Sequence, residues 1–138
     1  MKDRRILVVD DEVGIQQLFE DALCSQGYTL ICSGSAEEAL EILKERNMNV
    51  MFFDIKLPEM TGIELCREVR KDNPIALIFA MTGYGGLFEL WDCREAGFDD
   101  YFAKPIRLEM ILHVAHEAFD RLDRWKSNEL TSPRFPFV

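Results

Sequence analysis

The stretch Ile6-Leu7-Val8-Val9-Asp10-Asp11-Glu12-Val13-Gly14-Ile15 changes character twice in quick succession. Four strongly apolar residues run without alternation, as in a strand covered on both faces, and then stop on three acids. Helical spacing follows at once, because Ile15, Leu18, Phe19, Ala22 and Leu23 fall on one face of a helix. A buried strand feeding directly into a helix is the opening half of a strand–helix–strand unit.

The same alternation recurs along the chain. Further apolar runs lie at Tyr28 to Cys32, Val50-Met51-Phe52-Phe53, Ala76 to Met81 and Tyr101-Phe102-Ala103. Between and after them, Ala36, Ala39, Leu40 and Leu43 keep a helical stripe, as do Leu87, Leu90 and Trp91. The last stripe is longest, with Leu108, Ile111, Leu112, Ala115, Phe119, Leu122 and then Trp125. Ser35 with Glu38 and Thr61 with Glu64 fit the reciprocal capping pattern of helix starts, and Gly27, Asn73-Pro74 and Gly97 mark helix ends. Together these signals predict an α/β fold: a doubly wound parallel sheet with helices on both faces.

Composition narrows the function. At 138 residues the chain suits one domain, and 48% hydrophobic with 30% charged residues allows both a core and solubility. A net charge of -9 opposes direct nucleic-acid binding, which draws on Lys and Arg to neutralise phosphates. No apolar run approaches the roughly 20 residues of a membrane span, and the start is too short in apolar residues for a signal peptide, so the expected location is the cytoplasm. Cys24, Cys32, Cys66 and Cys93 show neither paired metal-ligand spacing nor a secretory context, so they are expected as small core or near-surface residues.

Ligands of such sheets bind at the carboxyl ends of the strands. Four of the five predicted strands end there in a reactive polar residue: Asp10-Asp11-Glu12, Asp54, Thr82 and Lys104-Pro105. Clustered carboxylates repel one another, and a hard, oxygen-seeking cation such as magnesium removes that repulsion. Asp54 could then serve as metal ligand or as nucleophile toward a phosphoryl donor, with Lys104 and Thr82 meeting the phosphoryl oxygens. Any one of these residues alone is more commonly a cap, a turn or a surface residue. Their order on successive strand ends is what carries weight.

In that order the chain resembles the receiver domains of two-component response regulators. The resemblance is carried by Ile6 to Glu12, Asp54-Ile55-Lys56-Leu57-Pro58-Glu59-Met60-Thr61-Gly62, Met81-Thr82-Gly83-Tyr84 and Asp99 to Pro105. It implies a flavodoxin-like (βα)5 sheet of strand order 2-1-3-4-5, with residues 1–124 as the receiver domain and 125–138 as a C-terminal extension. It also implies Asp54 as phosphoacceptor and Asp11 as direct magnesium ligand. Asp10 would be the second acid of the pocket, and Lys56 would lend only its backbone carbonyl. Thr82 and Lys104 would sense the phosphoryl group, Tyr101 would be the rotameric switch, and the Lys104-Pro105 bond would be cis. The expected partners are a sensor histidine kinase or histidine phosphotransfer protein and a downstream protein target. A homodimer is a further option.

The resemblance implies a signalling switch rather than a classical enzyme, and a change of shape on the face formed by the fourth helix, fifth strand and fifth helix. Lys56 and Tyr84, with the Asp10 to Ile15 stretch, resemble the single-domain receiver of the sporulation phosphorelay, and their bulk is expected to slow hydrolysis of the acyl phosphate. A stand-alone protein is expected from the Met1 start and hydrophobic end. The alternatives are the receiver part of a longer transcription regulator and a receiver that binds without being phosphorylated. Gly85-Gly86 is expected to fray the fourth helix start, His113 and His116 to be surface residues, and the Phe- and Pro-containing tail to be disordered or docked. A dehalogenase-type phosphatase would need an acid where Lys56 stands, and a flavin carrier or P-loop protein would need a phosphate loop that is lacking here.

Overall fold

The structure, a computed structural model, describes residues 3–83 and 86–131. Tyr84, Gly85 and residues 132–138, with the expectations attached to them, lie outside the described residues. The elements run β1 (Arg5–Val9), α1 (Val13–Leu23), β2 (Thr29–Ser33), α2 (Ala36–Glu45), β3 (Val50–Asp54), α3 (Gly62–Asp72), β4 (Leu77–Thr82), α4 (Leu87–Ala96), β5 (Asp100–Ala103) and α5 (Leu108–Thr131). All strand pairs are parallel, in the order β2-β1-β3-β4-β5, which is the flavodoxin-like (βα)5 arrangement expected.

The continuous apolar runs are explained by a core on each face. Leu7, Val9, Met51, Phe53, Ile78 and Ala80 point one way, against Leu65, Cys66 and Val69 of α3 and Ala36 and Ala39 of α2. Ile6, Val8, Val50, Phe52, Phe79 and Met81 point the other way, against Phe19 and Leu23 of α1 and Ile111 and Ala115 of α5. Successive strand residues face opposite sides, so every position from Ile6 to Val9 must be apolar. Phe52 anchors the second core, with Phe19 at 4.9 Å and Phe79 at 5.0 Å between ring centroids. Burying one such ring contributes roughly 2–3 kcal/mol.

Several local expectations need correction. The second strand starts at Thr29 and ends at Ser33; Tyr28 lies just before it, buried and stacked on Phe119 at 5.7 Å. β2 is also only partly buried, because as an edge strand it pairs with β1 alone. At α2, Ser35 caps Glu38, but the Glu38 carboxylate accepts from Gly34 and Ser33, and the Ser35 amide turns to Ser33 Oγ. Of the two expected boxes, the one of Thr61 and Glu64 is fully reciprocal.

On α4 the residues facing the core are Cys93 and Ala96, not the Leu87–Trp91 stripe; Leu87 and Trp91 are 79% and 62% exposed. The helix lies close to α3, with Cys66 Sγ 3.5 Å from the Ala96 carbonyl oxygen, and only small side chains fit between. Trp125 is likewise exposed, on a part of α5 past the buried Phe119.

The expected helix ends hold at Asn73 and Gly97, whereas α1 stops at Leu23 and Gly27 closes the short 3-10 turn Cys24–Gln26 that follows it. Gly27 and Gly97 take left-handed φ of 89° and 109°, and Asn73 closes α3. The α5 helix runs unbroken across residues 124 and 125. Among the described residues no helix is long and apolar enough to cross a membrane.

Candidate functional site

Strand register brings the polar ends together. Val9 pairs with Phe53, so Asp10 and Asp54 follow side by side; Asp54 pairs with Met81 and Thr82 with Ala103, which sets Thr82 and Lys104 at the same edge. Asp10 is fully buried, and Asp54 and Thr82 are nearly so. The Asp10 amide donates to the Ser33 carbonyl at 3.0 Å, tying the end of β1 to β2. The Lys104-Pro105 bond is cis, and it follows directly on β5.

Lys104 is the hub. Its ammonium donates to Asp10 Oδ2 at 2.9 Å, Glu12 Oε1 at 2.9 Å and Asp54 Oδ2 at 3.3 Å. Burial alone would push the lysine down. The bonds to Asp10 and Glu12, with the charges of Asp10 and Asp54, reverse that, and its pKa is raised. Asp10 is raised as well: burial disfavours its carboxylate and the Asp54 charge adds to this, beyond what the Glu12 amide and Lys104 offset. The contact thus favours a charged lysine while leaving Asp10 reluctant to ionise.

Ligand-bearing oxygens of Asp10, Glu12 and Asp54 lie within 4.8 Å of one another. Three carboxylates meet one ammonium, which leaves a surplus of two negative charges. An all-oxygen donor set with that surplus fits a hard divalent cation. Asp11 stands apart from this trio: it lines an adjoining cleft of about 600 Å³ with Lys56, Thr61 and Glu89. The Lys56 amide donates to Asp54 Oδ1 at 3.0 Å, which fixes the carboxylate in the turn after β3.

Two site residues escaped the sequence reading. Glu12 reaches back from the α1 N-cap to Lys104, although it stands in the acidic triplet already noted. Glu89 accepts from the Thr82 hydroxyl at 3.0 Å, and nothing in its spacing announces this. The other expected residues fall into place as follows. Tyr101 sits on β5, 40% exposed. His113 and His116 are exposed and face Glu117 and Asp120 one turn on, at 3.9 Å and 3.4 Å. All four cysteines are free; burial pushes the thiols of Cys32 and Cys93 up to about 11 and that of Cys66 up to about 12, so these three are poor nucleophiles.

Comparison with known proteins agrees with this geometry. Residues 6–116 match the profile of the response regulator receiver domain. Sporulation initiation phosphotransferase F of Bacillus subtilis (strain 168) is 30% identical over 111 residues, covering 80% of this chain and 90% of that protein. A probable transcriptional regulator ycf27 of Porphyridium aerugineum is 31% identical over 128 residues, covering 93% of this chain and 53% of that protein. The chain spans about half the length of several such curated relatives. The crystal structure of a CheY-like response regulator receiver domain protein from Methanospirillum hungatei JF-1 superposes with a TM-score of 0.84 at 32% identity, covering 89% of this chain and 98% of that one.

Proposed function

The chain belongs to the response regulator receiver domain family, and on that premise we propose that it is a signalling switch that accepts a phosphoryl group on Asp54. The observation that carries this is the convergence of Asp54, Asp10 and Lys104 at one sheet edge, with Thr82 on the next strand end. An Asp54 oxygen would form its bond to phosphorus as the phosphorus–nitrogen bond of a donor phosphohistidine breaks. The departing imidazole keeps the electron pair and takes up a proton. The donor would be a sensor histidine kinase or a histidine phosphotransfer protein.

The donor set suits magnesium, which Asp10, Asp11, Asp54 and the Lys56 backbone carbonyl would hold. When bound it neutralises charge on the acids and on the incoming oxygens. Lys104 would hold a second phosphoryl oxygen and Thr82 a third. The new charge would shift the population of two packings of α4, β5 and α5, with Tyr101 moving inward, and so change binding to a downstream protein. Residues 1–124 would form the switch domain and 125–138 an extension, working in the cytoplasm. No direct contact with nucleic acid is expected, and a second copy of the chain is an optional partner.

A single-domain role is supported by the sporulation phosphotransferase, which the chain covers almost fully. A receiver part of a longer regulator is supported by the ycf27 relatives, of which about half is covered. The phosphoryl chemistry is common to both. Incubation with magnesium and acetyl phosphate should add the mass of one phosphoryl group to the wild type and none to Asp54→Ala. No gain in a folded wild-type protein would leave a receiver that binds without being phosphorylated.

A further inference from the structure

Glu89 is an acid in the first turn of α4, and its Oε1 accepts the hydroxyl of Thr82 at 3.0 Å. Thr82 is buried at the end of β4, one strand over from Asp54. The Glu89 carboxylate also lines the cleft that Asp11 and Lys56 open beside the acids. It therefore lies beside the region where a phosphoryl group on Asp54 would project.

A threonine hydroxyl has a single proton to donate. It can bond Glu89 or a phosphoryl oxygen, and each is a charged acceptor that makes the stronger class of hydrogen bond. The two are exclusive. A phosphoryl group also adds roughly two negative charges, which repel the Glu89 carboxylate across a partly buried cleft. Glu89 rides on the turn that exposes Leu87 and Phe88 at 79% and 86%, with Trp91 one turn away. Releasing the bond frees that turn to move.

We propose that Glu89 is a built-in competitor of the phosphoryl group: its carboxylate holds the Thr82 hydroxyl in the unphosphorylated protein, latches the start of α4, and sets the affinity and strength of the switch. This rests on the phosphoryl-accepting reading of Asp54. Glu89 is a positioning residue, acting through Thr82 rather than on phosphorus. Lys56 lines the same cleft as Glu89.

The test is a titration with beryllofluoride, a phosphoryl mimic, in magnesium, followed by calorimetry for wild type, Glu89→Ala, Glu89→Gln, Thr82→Val and Thr82→Val with Glu89→Ala. Glu89→Ala should bind about fivefold to tenfold tighter than wild type. Glu89→Gln, a weaker neutral acceptor, should fall between. In the Thr82→Val background most of the gain should vanish, because the shared hydroxyl is gone. Hydrogen exchange at residues 87–91 should rise in unliganded Glu89→Ala. Wild type that binds while Glu89→Ala binds equally would overturn the latch and leave the switch standing. A gain equally large in the Thr82→Val background would also overturn it, since a bare charge or helix-end effect would suffice. Folded wild type that binds no beryllofluoride would remove the switch reading and the latch with it.

Discussion

Lys104 and Asp54 stand 50 residues apart in sequence, yet the ammonium ends 3.3 Å from the carboxylate, in a spot where it also bonds Asp10 and Glu12. Removing it strands buried carboxylates without a counter-charge. Lys104→Met should lower stability by about 2–4 kcal/mol at neutral pH in a magnesium-free urea titration. The folded pKa of Lys104 is raised, so its contribution is fully present below the unfolded value of about 10.4 and is lost only as pH climbs through the higher folded one. The deficit should therefore stay level from pH 7 to about 9.5. A deficit that fades by pH 8 would contradict this account.

Asp10 carries the opposite consequence. Burial, then the Asp54 charge, raises its pKa above the ordinary value of 3.8. A raised carboxyl contributes stability that is fully present below its unfolded pKa and lost as pH rises through the folded one. At neutral pH the ionised Asp10 is thus a liability of the fold. Asp10→Asn should melt roughly 2–5 °C higher than wild type at pH 7, with the advantage shrinking below pH 4. Magnesium should narrow the gap by stabilising wild type through binding. Equal melting temperatures at pH 7 without magnesium would rule this out.

How far the site was legible depends on which link placed each residue. Asp10, Asp54 and Thr82 sit at the ends of strands buried on both faces, so apolar runs alone located them. Lys104 follows the mostly exposed edge strand β5, whose short apolar run was still enough to mark its end. Glu12 and Glu89 were hidden because each depends on a helix start. Glu12 faces Lys104 only because α1 begins at Val13, and Glu89 reaches Thr82 only because α4 begins at Leu87. The α4 stripe misled for a related reason. Its apolar residues lie all around the helix, so periodicity could not say which side would meet α3, and the close approach chose Cys93 and Ala96.

Gly62 has a steric reason for its identity. It opens α3 behind the Thr61 cap, and its amide donates to the Ile55 carbonyl at 3.2 Å. A Cβ there would overlap the Asp54 carbonyl oxygen and come within 2.8 Å of the Ile55 Cα. Gly62→Ala must therefore push β3 and α3 apart at Asp54, the proposed phosphoryl acceptor. A loss of about 1–3 kcal/mol is expected, with acetyl-phosphate labelling slowed even where the variant is fully folded. Wild-type labelling and melting would show that the turn yields without moving Asp54.

At the other end of the sheet, Arg70 spans α3, β4 and β5 in a way lysine cannot reproduce. Its Nε donates to the Gly97 carbonyl at 2.8 Å, and Nη1 to the carbonyls of Ala76 at 2.6 Å and Pro74 at 3.1 Å. Its Nη2 meets Asp99 at 2.7 Å, and Asp99 in turn accepts the Ile78 amide at 2.8 Å. The planar fork serves these directions at once, whereas an ammonium is one point on a flexible stem. Losing the fork leaves part-buried carbonyls and the Asp99 carboxylate short of partners. Arg70→Lys should therefore cost about 2–3 kcal/mol in chemical denaturation, close to the cost of Arg70→Met. Labelling of Asp54 per folded molecule should stay unchanged, because these contacts lie at the amino ends of β4 and β5. A lysine variant as stable as wild type would show that charge alone holds this corner together.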